Sequence, residues 1–113
     1  MKIEKFGIYL ADLAPRFGTE PGKTRPVAVV QTDLINNKHS STIVCPMTSR
    51  VVKELEILRV HVPGKDLGLA HDSDILVDQI RAIDNRRFIK RLGRLSSSLR
   101  EKFLDNLRVL VLE

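Results

Sequence analysis

Tryptophan is absent and aromatic residues make up only 4% of the 113-residue sequence. That excludes a broad platform on which nucleic-acid bases could stack. A nucleic-acid site here would work through charge and hydrogen bonds, with Phe17 or Tyr9 as single stackers. There is one cysteine, Cys45, so no intrachain disulfide can form, and no second thiol stands at metal-ligand spacing. In the apolar stretch 42–47, Cys45 reads as a small buried hydrophobe, the alternative being a nucleophile. No apolar run is long enough to span a bilayer. The charged start Met1-Lys2-Ile3-Glu4-Lys5 is not followed by a signal-peptide apolar region. The expectation is a cytoplasmic protein with no membrane partner. Phosphate-binding P-loop, G-x-S-x-G and H-x-x-x-H patterns are missing. His39, His61 and His71 lie far apart in polar settings and read as solvated or structural, a pair meeting in space being the alternative. Asp72, Asp74 and Asp78 lack the glycine and terminal glutamate of a calcium loop. No metal and no cofactor are expected.

What is present describes a folded chain. Hydrophobic residues make up 42% and charged residues 29%, a globular balance. The length suits one modest core, and neither a repeat nor a linker divides it, so residues 1–113 read as a single domain. A net charge of +5 and a pI near 9.7 permit a polyanionic partner, nucleic acid or acidic protein.

The periodicity predicts mostly strands. Residues 6–13 and 42–47 read as strands, and 27–30 as a short strand buried on both faces. Residues 14–24 hold Pro15, Gly18, Pro21 and Gly22 and read as a long loop, a common seat of function. Residues 32–41 are polar, with room for a short helical turn. In 56–62, Leu58, Val60 and Val62 alternate with Ile57, Arg59 and His61, as in a half-buried strand. Pro63-Gly64 turns the chain, and 74–83 supply one or two more strands. Ser98 with Glu101 three residues on reads as a capping box, and Leu99, Phe103, Leu107 and Leu110 form one apolar helical stripe. The sum is a mainly β, antiparallel domain closed by a C-terminal helix, with strand density favouring a small barrel over a sandwich.

Two segments carry candidate chemistry. In 18–27, a glycine loop delivers Lys23 and Arg25 to the mouth of a buried strand, and Pro26 pushes Arg25 toward extended geometry. A guanidinium so held can clamp a phosphate, or bridge to a carboxylate. In Pro46-Met47-Thr48-Ser49-Arg50, two hydroxyls follow a strand end, which suits either function or ordinary turn chemistry.

Together these segments resemble the MazF/PemK toxin family. Residues 22–31 resemble its G-x-x-R-P signature followed by an apolar strand; Pro46-Met47-Thr48-Ser49 resembles its second motif; Val77-Asp78-Gln79-Ile80-Arg81-Ala82-Ile83-Asp84 resembles its D-Q-I-R segment; residues 7–13 match its opening strand. The matches keep the family order over nearly the whole chain. The opening strand departs from the pattern, with Ile8 and Tyr9 where the family often has an acidic residue and a later tryptophan.

The resemblance implies a small antiparallel Src-homology-three-like barrel of the CcdB/MazF plasmid-maintenance-toxin type with a C-terminal helix, assembled as a homodimer. It implies the toxin of a type II toxin–antitoxin system, a sequence-specific endoribonuclease that cleaves single-stranded messenger RNA without metal and inhibits growth. The implied catalytic pair is Arg25 and Thr48. Implied RNA contacts are Glu20, Lys23, Ser49, Gln79 and Arg81, and the implied partner is an acidic antitoxin. The alternatives are a non-enzymatic gyrase poison of the CcdB type and a plain nucleic-acid-binding module. The basic run 86–94 reads as an RNA track, an antitoxin face or a solvated surface.

Overall fold

A computed structural model describes residues 1–14, 18–19 and 23–113. Seven strands form one strongly bent antiparallel sheet: β1 (Gly7–Asp12), β2 (Thr24–Val29), β3 (Ser41–Thr48), β4 (Arg59–Val62), β5 (Ser73–Leu76), β6 (Arg81–Asp84) and β7 (Phe88–Arg94). The helix α1 (Ser97–Leu107) follows and widens into a π turn over Arg108–Leu112. The spatial order is β4-β5-β3-β2-β1-β7, with β6 paired to β3. The barrel-like fold read from the sequence is therefore present, although its two ends do not pair among the described residues.

Two features bend the sheet. Strand β3 carries β2 along one edge, while β6 (against 41–44) and β5 (against 47–48) share the other. The β1–β7 ladder shifts register at Ile8/Tyr9 and again at Leu10/Ala11, and such bulges increase local twist.

Alternation then fills both faces. Ile8, Ala28, Cys45 and Met47 pack on one side with Val60, Val62, Ile75, Leu95 and Phe103. Tyr9, Ala11, Val27, Val29 and Val44 pack on the other with Ile3 and Ile83. Val27, Ala28 and Val29 are all buried, as a strand covered on both faces requires. The helical stripe also holds, with Phe103 fully buried and Leu99, Leu107 and Leu110 packed beside it. Asn106, on the same helix, donates from Nδ2 to the carbonyls of Glu56 (2.9 Å) and Arg59 (3.2 Å), tying α1 to the turn before β4.

Several expectations change. Residues 56–58 are a turn, not strand: the Arg59 amide reaches back to the Leu55 carbonyl (2.9 Å) and Ile57 is 60% exposed. The helix cap is Ser96 rather than Ser98; its hydroxyl accepts from the Leu99 amide at 3.4 Å. Tyr9 is not a stacker. Its ring is fully buried, edge-on to Phe88 with centroids 5.4 Å apart. Its hydroxyl accepts from the Glu4 amide (2.9 Å) and donates to the Lys2 carbonyl (3.0 Å). The basic run is a 3₁₀ turn (Asn85–Arg87) leading into strand β7, and three of its arginines are partnered: Arg86 on Asp84, Arg91 on Glu4, and Arg87 on the Asp12 and Ala14 carbonyls. Phe17, Glu20 and Gly22 lie outside the described residues.

Candidate active site at the end of the sheet

The site begins where the β1–β2 hairpin closes. The Leu13 amide donates to the Lys23 carbonyl at 2.8 Å, next to the last ladder pair, Asp12↔Thr24. Arg87, on the 3₁₀ turn just before β7, grips the Asp12 and Ala14 carbonyls. Lys23 takes a left-handed backbone, φ 63°, uncommon for a residue with a β-carbon, and the chain re-enters the sheet through it. Arg25 follows on β2, half-buried and paired to Ala11.

The β2–β3 ladder runs Val27↔Pro46, Ala28↔Cys45, Val29↔Val44. The same register continued by two residues aligns Arg25 with Thr48. Across the other edge of β3, Thr48 pairs with Asp74, and Asp74 pairs with His61 on β4. Directly opposed residues in antiparallel strands share a face. Thr48, Asp74 and His61 therefore make one cross-strand row over three strands at the sheet's end, and Arg25 lies on the same face of β2, two residues beyond the last β2–β3 ladder pair.

Around the strand end opens a cavity of about 330 Å³ whose lining includes Lys23, Arg25, Ser49 and His71. Its far wall is the 69–71 segment, held against Gly64 in the turn after β4. The Gly64 amide donates to Asp72 Oδ1 (2.9 Å), and the Leu69 amide to the Gly64 carbonyl (2.8 Å). A β-carbon at position 64 would collide with the His71 carbonyl, so only glycine allows this approach. Thr48 does not line the cavity: alternation puts it on the face opposite Met47 and Ser49.

Thr48 is set by its neighbours. Its Oγ1 accepts from the Arg50 amide at 3.2 Å, which leaves the hydroxyl proton free to donate outward. The turn after it is clamped. Arg59 Nη1 donates to the Arg50 carbonyl (2.8 Å) and to Asp74 Oδ2 (3.3 Å), and the Val52 amide donates to Asp74 Oδ2 (3.0 Å). Asp74 itself is 2% exposed. His61 bridges its Nδ1 to Asp74 Oδ1 (3.1 Å) and its Nε2 to Asp72 Oδ2 (3.3 Å). Asp72 is held below the usual carboxylate range, first by the Gly64 amide and then by His61.

The structure thus gathers Lys23, Arg25 and Ser49 around one cavity and puts Arg25 on the same sheet face as Thr48. It leaves Gln79 and Arg81 out of that cavity. Gln79 ends the 3₁₀ turn Val77–Gln79, and Arg81 pairs with Val44. That is four residues upstream of Thr48 on the same face, about 13 Å at strand spacing. Glu20 lies outside the described residues. Cys45 is fully buried and its thiol is pushed up to about 12 by burial, with the Asp78 charge adding; it is no nucleophile. The Arg59–Asp74–His61 cluster escaped the sequence reading, because only strand register brings residues 59, 61 and 74 together. The signal within reach was the polar Asp74 inside an otherwise strand-like run.

The chain is 33% identical over 109 residues to endoribonuclease EndoA of Bacillus subtilis, covering 96% of this chain and 94% of that one. Its fold matches MazF (Form-I) from Deinococcus radiodurans with a TM-score of 0.85 at 24% identity, over 100% of this chain and 99% of the other. It also matches a mycobacterial endoribonuclease solved in complex with its cognate antitoxin, TM-score 0.72 at 15% identity, over 96% and 91% of the two chains. Residues 4–111 match the family model described as PemK-like, MazF-like toxin of type II toxin-antitoxin system, and the chain belongs to that family.

Proposed function

We propose that the protein is a growth-inhibiting toxin that acts as an endoribonuclease on single-stranded messenger RNA, with the 2′-hydroxyl of the substrate as nucleophile. The observation that carries this reading is the register that puts Arg25 and Thr48 on one face at the sheet end, beside a cavity lined by Lys23, Arg25 and Ser49. Cleavage at a 2′-hydroxyl brings the nucleophile inside the substrate, so the protein needs to supply charge stabilisation and proton transfer rather than a metal-activated water. The O2′–P bond forms as O2′ gives up its proton, and the P–O5′ bond breaks as O5′ takes one up, so the net transfer is of one proton from O2′ to O5′. The products are a 2′,3′-cyclic phosphate and a 5′-hydroxyl.

Arg25 presents a planar fork to the phosphate oxygens as negative charge builds on them. Thr48, with its acceptor side occupied by the Arg50 amide, donates its proton to a phosphate oxygen. Lys23 and Ser49 contact the flanking backbone. Arg81 and Gln79 meet nucleotides further along, and Glu20 supplies a further contact.

The net charge of +5 suits an acidic antitoxin whose segment folds over the Arg25 region and blocks RNA. Leu104, Val109, Val111 and Leu112 are exposed at the end of α1, an apolar strip that a second copy would cover in a homodimer. No helix among the described residues is long and apolar enough to cross a membrane.

The test is cleavage of a long defined RNA by the purified protein in excess chelator, with the ends analysed. Cyclic-phosphate and 5′-hydroxyl ends at a recurring short sequence are expected. Cleavage at normal rate of a substrate carrying 2′-deoxyribose at that position overturns the mechanism.

A further inference from the structure

Asp74 is a carboxylate shut away from solvent, yet it points at nothing that merely fills the core. Its two oxygens take the Val52 amide, the Arg59 guanidinium and the His61 ring. Its backbone neighbour across the ladder is Thr48. Arg59 passes the restraint on, because the same Nη1 also holds the Arg50 carbonyl at 2.8 Å. The Arg50 amide in turn holds the Thr48 hydroxyl. The Arg59 main chain is itself fixed, its carbonyl accepting from Asn106 of α1. The four-residue turn after Thr48 is therefore fastened at its second and fourth residues, both times through Asp74 or its partner Arg59.

We propose that Asp74 and Arg59 are positioning residues for RNA cleavage, fixing the turn after β3 so that the Thr48 hydroxyl keeps its proton aimed at the scissile phosphate. The inference rests on the reading of Thr48 given above. A buried carboxylate costs a great deal to desolvate unless fully partnered. Its presence at the sheet end, where an apolar residue would pack at no such cost, fits a demand for fixed geometry. Neither residue touches the RNA. Without the Asp74 carboxylate, Arg59 Nη1 keeps only the Arg50 carbonyl, the clamp on the Arg50 peptide loosens, and the Thr48 hydroxyl samples other rotamers. Small misplacements of a catalytic group lower the rate severely.

The test is a double-mutant cycle on RNA cleavage with the full-length protein. Asp74→Asn removes the charge and keeps the shape; Thr48→Val removes the hydroxyl and keeps the shape. Asp74→Asn is expected to lower kcat about 10-fold or more and leave KM within about twofold, because the residue acts through another group rather than on the RNA. In the Thr48→Val background the same substitution is expected to change kcat by less than twofold. Arg59→Lys, which keeps the charge and loses the fork, is expected to lie between wild type and Asp74→Asn, and it carries the cycle if Asp74→Asn does not fold. Amide exchange supplies a readout without RNA: the Arg50 and Val52 amides are expected to exchange faster in Asp74→Asn while the β1–β2 ladder amides do not.

Independent, multiplying losses of kcat overturn the proposal, and so do unchanged Arg50 exchange and kcat in a folded Asp74→Asn protein. Wild-type protein that cleaves no RNA, or folded Thr48→Val that cleaves at full rate, refutes the functional reading instead. In that case unchanged Arg50 exchange in Asp74→Asn still removes the structural link, and faster exchange retains it.

Discussion

Tyr9→Phe separates the two roles open to the one tyrosine of the chain. The substitution removes a single oxygen and leaves the ring. In the fold that oxygen takes the Glu4 amide at 2.9 Å and gives its proton to the Lys2 carbonyl at 3.0 Å, so one hydroxyl pins the N-terminal segment across the end of β1. The ring stays: it is fully buried against Phe88 and the Val27, Val29 and Val44 side of the core. Each neutral hydrogen bond contributes about 0.5–1.5 kcal/mol net, and a buried group left without a partner costs about 1–3 kcal/mol. The two main-chain partners are only partly buried, so water can replace the phenol for them. The loss is then roughly 1–2 kcal/mol, below the roughly 2–6 kcal/mol that two fully buried orphaned groups would cost. At this size about 4 °C of Tm follows per kcal/mol, hence a fall of roughly 4–8 °C. Urea unfolding should show a lower midpoint at unchanged slope. With tryptophan absent and Tyr9 the only tyrosine, intrinsic fluorescence of the wild-type protein reports this ring alone. Titration with a short uncleavable RNA, corrected for absorption by the RNA, should leave it unquenched. An unchanged midpoint in Tyr9→Phe, or quenching on RNA, refutes the buried assignment.

Arg25→Ala should lose about 10²–10³-fold in rate, the usual effect of removing one charge-stabilising donor, and single-turnover cleavage reads it; Arg25→Lys should recover only part, since an ammonium lacks the planar fork. Thr48→Ser should be milder than Thr48→Ala in the same assay, because it keeps the hydroxyl. Cys45, fully buried with its thiol pushed up to about 12, should resist alkylation at pH 8 in the folded protein and react once unfolded; mass spectrometry decides. Asp84 is held at about 2 by the Arg86 side chain and amide, and Asp33 and Asp72 are lowered by Asn36 and by the Gly64 amide. Each folded-state value lies below the unfolded one near 3.9, so the unfolded chain takes protons first. Their stabilisation is whole above about pH 5 and drains away as pH falls toward 2. A Tm flat from pH 5 to pH 2.5 would contradict this.

Legibility in the sequence followed burial. The cores of β1, β2 and β3 were readable because each presents an unbroken apolar run to a two-faced core. Strand β7 was hidden because it lies at the edge of the sheet, with only Phe88, Leu92 and Gly93 partly covered while Ile89, Lys90, Arg91 and Arg94 face solvent. Such a strand reads as a charged surface, and lysines and arginines on an edge also discourage pairing with another chain. The strand expected over 56–62 began too early because Leu58 keeps the period although it sits in a turn. Three serines in a row, 96–98, left the cap ambiguous. Placing Leu95 fully in the core and Phe103 inward selects Ser96.

The candidate site divides along the same line. Arg25 and Thr48 could be singled out because each stands in a local pattern, a proline-anchored strand start and a hydroxyl-bearing strand end. Asp74, Arg59 and His61 stand in no local pattern; they are 13 and 15 residues apart and acquire meaning only through the β4–β5 and β3–β5 registers. Alternation adds a further consequence. Thr48 and Ser49 are adjacent in sequence but fall on opposite faces, Thr48 in the row with Asp74 and His61 and Ser49 with the cavity beneath the 69–71 segment. An RNA strand contacting both must therefore pass around the sheet end rather than along one face. Arg25 shares the face of the row and also lines the cavity, so it is the side chain that stands at that turning point. A bent backbone brings a 2′-oxygen closer to in-line attack on its own phosphate.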